Sequence, residues 1–211
     1  MRITREARQA TRRGILDAAR RLFAEQGFEP TTTRDLARTA GIAAGTLFNY
    51  FPTKEAIVTA LASEALARGR SDFEGRRREQ ASLEEDLFAH VAAGLRRLRP
   101  LRKFLQPVLE AAFSPASAGA DDAGAALRSE HLECVGRVLA AHGMDASSPL
   151  ALQLYWTLYT GVLGFWVADR SPKQEDTLAL LDQSIAMFAA WLRGSSSAVA
   201  GNGDHNTHPN P

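Results

Sequence analysis

Residues 32–51, TTRDLARTAGIAAGTLFNYF, decide how this chain is read. Leu36, Ala37, Ala40, Ile42 and Leu47 are the small and aliphatic residues that let two short helices cross. Gly41 supplies the turn between them, which frees the second helix to face outward. The pattern predicts a helix-turn-helix: Thr32–Ala40, a turn at Gly41, then Ala44–Phe51. On the amino-terminal side, Ile15, Ala18, Ala19, Leu22 and Phe23 recur at helical spacing and form an apolar stripe. Gly27 stands where a helix end needs a positive φ, and Pro30 lies just beyond. On the other side, Pro52-Thr53-Lys54-Glu55 opens a longer helix to about Asp72, with Thr53 as its cap.

The rest of the chain also reads as helix, without a convincing strand run. Ser82-Leu83-Glu84-Glu85 is a capping box, followed by Leu83, Leu87, Val91 and Leu95 on one face. Pro100 stops that helix. A further helix is expected over Leu101–Phe113, bent at Pro107, and then a loop over Ser114–Gly124. Leu127–His142, Leu150–Ala168 and Glu175–Trp191 complete an all-α chain of about nine helices. From Gly194 the composition turns to Ser, Gly, Asn, His and Pro, so 194–211 reads as a disordered tail.

Composition narrows the function. The 211 residues can bury a core, with 45% hydrophobic and 23% charged residues. A single cysteine, Cys134, excludes an intrachain disulfide and a cysteine-rich zinc module. The net charge of +1 hides an asymmetry: residues 1–55 hold ten Lys/Arg against six Asp/Glu, whereas 174–211 hold one against four. The positive excess sits with the helix-turn-helix and suits a polyanion there. Met1–Arg13 carries five arginines and no apolar stretch follows, so no signal peptide is expected.

Residues 15–57, ILDAARRLFAEQGFEPTTTRDLARTAGIAAGTLFNYFPTKEAI, resemble the amino-terminal domain of TetR-type (TetR/AcrR, tetracycline-repressor-like) transcriptional regulators. The likeness runs without a gap over about residues 9–69. It implies an all-α homodimer in which a three-helix domain, 9–69, binds DNA. A divergent helical domain, 70–193, then binds a small effector and dimerises. Carried over by position, Thr32 and Thr33 start the second helix, where hydroxyls and free N–H groups can hold a phosphate. Arg34 points toward the backbone or a base edge. Ala44 and Gly45 lie at the start of the recognition helix, and Gly45 permits close approach to the groove. Thr46 and Asn49 can read base edges, and Phe48 can pack on a thymine methyl. Tyr50 and Lys54 fall where the family makes phosphate contacts. Ala43 and Ala44 stand where relatives often carry Ser and Lys, so a cap and a charge are missing, and Phe48 stands where Tyr is common.

Dimer and pocket are read from the second domain. Leu178, Leu181, Ile185, Phe188 and Leu192 form a narrow seam suited to helix pairing. Leu150–Ala168 is apolar all round, so Leu158, Gly161 and Phe165 are expected against a partner subunit. The effector pocket is expected among Phe88, Phe104, Phe113, His131, Cys134, Tyr155, Trp156 and Tyr159, which favour a largely apolar ligand. The expected partners are therefore a double-stranded DNA operator, a small-molecule effector and a second copy. No cofactor, metal or membrane is expected, and the location is cytoplasmic. Repression released by the effector is the leading mechanism; activation or ligand-independent regulation on the same fold is the alternative. Two remote readings are weaker. Leu150–Ala168 is long enough for one membrane span, but it contains Gln153, Thr157 and Thr160 and has no flanking basic cluster. His131 and Cys134, three residues apart, are two ligands short of a zinc site, and no nucleophile elbow or phosphate loop accompanies them.

Overall fold

The structure, a computed structural model, describes residues 4–106, 122–145 and 148–201, with side chains except at 122–123 and 196–201. Its helices are α1 (Arg5–Gln26), α2 (Thr33–Thr39), α3 (Ala44–Phe48), α4 (Lys54–Glu74), α5 (Leu83–Leu98), α6 (Asp122–Ala141), α7 (Pro149–Ala168) and α8 (Glu175–Gly201). Two 3₁₀ segments, Arg99–Phe104 and Pro172–Gln174, interrupt them, and the described residues contain no strand. The chain forms two compact units: Met1–Arg68 with Arg97–Leu127, and Gly69–Arg96 with Arg128–Pro211. The described residues 97–106 and 122–127 thus group with the first unit.

The first unit is built on the stripe read from α1. Ile15, Leu16, Ala18, Ala19 and Phe23 are buried, together with Leu36, Ala37, Leu47, Phe51, Ile57 and Leu61. Each large side chain taken out of water contributes about 1.5–3 kcal/mol. Gly27 ends α1 at φ 91°, and Gly41 makes the turn of the helix-turn-helix at φ 69°. Residues with a Cβ seldom adopt either conformation. Phe104 also belongs to this unit, with its ring centroid 5.6 Å from that of Phe23.

In the second unit the capping box forms as read: Glu85 N donates to Ser82 Oγ at 3.1 Å, and Ser82 N donates to Glu85 Oε2 at 2.7 Å. Leu83, Leu87, Val91 and Leu95 are all buried. Gly69 of α4 meets Gly94 of α5 so closely that a Cβ on Gly69 would stand 2.9 Å from the Gly94 Cα. Asp169 accepts from the amides of Ser171 and Thr177 and from the Thr177 hydroxyl, which fixes the start of α8.

Three expected boundaries shift. The helix expected over Leu101–Phe113 opens as the 3₁₀ segment Arg99–Phe104, with Pro100 in its first turn, where a missing amide costs nothing; the bend at Pro107 and Phe113 lie outside the described residues. Helix α6 begins at Asp122, inside the stretch read as loop. Helix α8 continues to Gly201, past the expected start of the tail at 194; Ser195 Oγ donates back to the Trp191 carbonyl at 2.9 Å. Helix α7 is long and apolar enough to cross a membrane, with mean hydropathy 1.2. One of its faces (Ala151, Tyr155, Tyr159, Val162, Trp166) is nevertheless buried inside the chain, as in a core helix.

Candidate functional site

The start of α2 is organised by Thr32. Its hydroxyl accepts from Asp35 N at 3.1 Å and donates to Asp35 Oδ2 at 2.6 Å, while Thr32 N donates to the same oxygen at 3.2 Å. The hydrogen bonds from Thr32, assisted by the neighbouring Arg38, hold the Asp35 carboxyl below its usual range. Thr32 is therefore engaged in a cap. The signal was present as Thr-x-x-Asp, but Asp35 was not singled out. Thr33 is half-buried and Arg34 exposed, with no ion pair among the described residues, whereas Arg38 is paired with Asp35 at 2.6 Å.

Helix α3 presents a short outward surface. Ala43 is its N-cap and provides no side-chain hydrogen bond, as the sequence implied. Ala44, Gly45 and Asn49 are exposed, Thr46 and Tyr50 are half-buried, and Phe48 keeps 49% of its surface in water. Leu47 alone is buried, and anchors the helix. The α-helix ends at Phe48, earlier than the expected Phe51, although Tyr50 N and Phe51 N both donate to Leu47 O at 2.9 Å and continue the turn. A Cβ on Gly45 would meet no atom within 4 Å, so nothing in this chain requires a glycine there.

Lys54 is tied down. Its Nζ donates to Phe28 O at 2.8 Å and Glu29 O at 3.3 Å and sits 4.2 Å from the Phe28 ring centroid. It joins the start of α4 to the loop after α1, leaving one of an ammonium's three donors over. Thr53 caps α4 as expected, accepting from Ala56 N at 3.1 Å. Arg12, not singled out from sequence, lies over the Phe51 ring at 5.4 Å and pairs with Glu64 at 3.5 Å.

Comparison with known proteins matches this head. Residues 15–61 fit the family described as "Bacterial regulatory proteins, tetR family". Over this amino-terminal stretch the chain is similar to the TetR family. The HTH-type transcriptional regulator UidR of Escherichia coli K12 is 39% identical over 71 residues, covering 32% of this chain and 36% of UidR. The HTH-type transcriptional repressor Rv1474c of Mycobacterium tuberculosis is 46% identical over 59 residues, 28% of this chain and 32% of that protein. The match thus spans about a third of the length of these curated relatives. Solved structures extend the likeness in fold. A TetR regulator from Rhodococcus sp. RHA1 has a TM-score of 0.65 at 21% identity, covering 86% of this chain and 96% of its own. Thermus thermophilus FadR, a TetR-family repressor solved with lauroyl-CoA, has a TM-score of 0.67 at 21% identity, covering 84% and 93%.

The second unit holds a buried cluster of rings. His131 stacks on Tyr159, centroids 4.1 Å apart, and its Nε2 shares a 3.1 Å hydrogen bond with the Tyr155 hydroxyl. His90 lies 4.9 Å from His131, with the Phe73 ring edge-on at 5.3 Å and Cys134 Sγ 3.7 Å from its Nδ1. Burial, helped by Arg70 and Arg137, pushes His90 down to about 4. Burial, then His90 and Arg70, hold His131 well below its ordinary value. Burial raises Tyr155, Tyr159 and the Cys134 thiol. Near neutral pH the cluster is uncharged.

Of the expected pocket residues, His131, Cys134, Tyr155, Trp156 and Tyr159 belong to the second unit, and all but Cys134 join its ring contacts directly. Phe88 is half-buried outside those contacts, and Phe104 belongs to the first unit. His90 was missed, although it falls seven residues after Leu83 and so on the buried face of α5. Tyr155 and Tyr159 also line a small apolar cleft with Val91 and Val162. The expected dimer seam needs correction. Leu181, Ile185, Phe188 and Leu192 are buried within a single chain, and Leu158, Leu181, Ile185 and Phe188 line this cleft. The 3–4 spacing was real, but it faces this chain's own α7. Gly161, Phe165 and Leu178 remain exposed, as does Met187.

Proposed function

We propose that this chain is a homodimeric transcriptional repressor that holds a palindromic double-stranded DNA operator through α3 and is released by a small, largely apolar effector. The supporting observation is the outward surface of α3. Gly45 has nothing to pack against, and Phe48 leaves an aromatic ring half in water beside Asn49. A glycine in a helix costs about 1 kcal/mol relative to alanine, so its presence without an internal reason favours an external one. A major groove is such a reason: the bare backbone can approach base edges, Thr46 and Asn49 supply hydrogen bonds, and Phe48 suits a thymine methyl. Arg34, Thr33, Tyr50 and the remaining donor of Lys54 would contact phosphates and set the register.

One short helix buries little surface, so a second copy is required. Its recognition helix would lie roughly 34–36 Å away, one turn of DNA. Gly161, Phe165, Leu178 and Met187 offer the apolar surface for that pairing. Repression is supported by the named activity of the mycobacterial relative, and the cytoplasm is where the operator would be met. The effector acts only through differential affinity for two packings of the second unit. Selection from a random DNA pool at physiological salt tests the reading. An inverted repeat with half-sites about one turn apart is expected. Lack of preference for any duplex over bulk DNA, with the helices intact, overturns it.

A further inference from the structure

We propose that His90 is the polar anchor of the effector site, and that the effector is an uncharged molecule with a hydroxyl or carbonyl group on an apolar body, not a carboxylate or an amine. This deepens the effector reading and rests on it. His90 is 3% exposed, and its Nε2 has no hydrogen-bond partner among the described residues. Buried polar atoms are almost always paired, so an orphan inside a polar ring cluster marks a place for a ligand atom. The neighbouring positions are taken. Cys134 stands at Nδ1, and His131 Nε2 is bonded to Tyr155. Tyr155 and Tyr159 stack on His131 and also line the small apolar cleft, so the polar cluster and an apolar surface share two side chains.

Charge selects the class. The cations acting on His90 are Arg70 and Arg137, and each already has a carboxylate: Arg70 pairs with Glu130 at 2.7 Å, Arg137 with Glu74 at 3.3 Å. Among the described residues acting on His90, a ligand carboxylate would therefore find no free cation. His131, Cys134, Tyr155 and Tyr159 are neutral around His90, so a ligand ammonium would find no anion. Burying an unpaired charge is costly, whereas a neutral hydroxyl or carbonyl satisfies Nε2 at little cost. Phe73, whose ring meets His90, lies on α4, the helix that begins at Lys54. A ligand at Nε2 would therefore act directly on a contact of the helix carrying that head residue.

Phenol, benzoate and benzylamine share one ring and differ in charge, and they serve as probes on the full chain. Phenol should bind and shift the His90 imidazole nitrogen resonances, while benzoate and benzylamine bind about tenfold weaker or less. His90→Phe should keep the helical content and weaken phenol by about tenfold or more, with partial recovery in His90→Gln. Equal binding of the three probes overturns the proposal. So does phenol bound equally by wild type and His90→Phe, or no phenol binding at millimolar concentration, which would leave Nε2 to a trapped water. Operator affinity is measured alongside. Phenol at His90 with operator affinity unchanged supports the site and overturns the release mechanism; absence of operator binding with phenol at His90 overturns the repressor reading while supporting the site.

Discussion

In the first unit, polar side chains work at helix ends and near the surface: Thr32 and Asp35 cap α2, Lys54 bridges to the Phe28 carbonyl, and the core beneath is aliphatic and phenylalanine. In the second unit, two histidines, two tyrosines and a thiol are buried together. The difference separates two kinds of work. Under the proposed function, a surface that reads DNA would keep hydrogen-bonding groups in water, whereas a unit that detects a small molecule would hide them and keep one unmatched. The two units should therefore respond differently to acid.

The largest expected effect tests that contrast. His90 is held at about 4 against an ordinary 6.5. Between those values the unfolded chain binds a proton that the folded chain refuses. Stability is complete above the unfolded value, falls as pH drops from 6.5, and has lost the full amount near 4. The shift corresponds to about 3 kcal/mol, and His131 acts in the same direction. Denaturant titrations between pH 7.5 and 4.5 should show this loss, and His90→Phe should flatten part of it. An unchanged slope in that variant would mean that the ring cluster does not control the acid response.

Two glycines sharpen the contrast. At Gly69 a Cβ would meet the backbone of Gly94 and the Ala93 carbonyl at 2.9–3.1 Å, and backbone atoms cannot rotate away. Gly69→Ala should therefore destabilise the protein by about 1–3 kcal/mol, seen in the denaturant midpoint. Gly45→Ala meets nothing within 4 Å and should leave stability equal or raise it by up to about 1 kcal/mol, while weakening operator binding. Operator affinity unchanged in Gly45→Ala would remove the argument that the backbone approaches the groove. Asn49→Ala should change which operator sequences are preferred, by about 1–3 kcal/mol per misread base pair. Uniform weakening on specific and random DNA would reduce Asn49 to a phosphate contact.

The same contrast explains what could be read from sequence. The head is local: Gly27, Gly41, Thr53 and the stripe from Ile15 to Phe23 each act over a few residues, so their spacing alone places them. A threonine at a helix start fits both a cap and a phosphate ligand, and at Thr32 the Asp35 geometry shows the cap. The second unit depends on contacts between residues far apart in the chain. His90 meets Cys134 across 44 positions, and Tyr155 meets His131 across 24. The seam on α8 showed the same limit: its period established one apolar face but not whether that face meets α7 or a partner. Phe104 was placed with the wrong neighbours for the same reason.

The smallest expected effect concerns a cap that one unit lacks and the other has. Ala43 holds the extended N-cap conformation, φ −69° and ψ 146°, but offers no side-chain acceptor to the first turn of α3. Ser148 occupies the corresponding place on α7, and its Oγ accepts from Ala151 N at 3.3 Å. Ala43→Ser should thus stabilise the head by about 1 kcal/mol, and Ser148→Ala should cost the second unit a similar amount. The gain should be visible as slower hydrogen exchange at the Leu47 amide, because α3 is only five residues long and has little else to resist fraying. If Ala43→Ser leaves that exchange unchanged while Ser148→Ala lowers stability, α3 is held by the burial of Leu47 alone, and its exposed surface owes nothing to the conformation of its first turn.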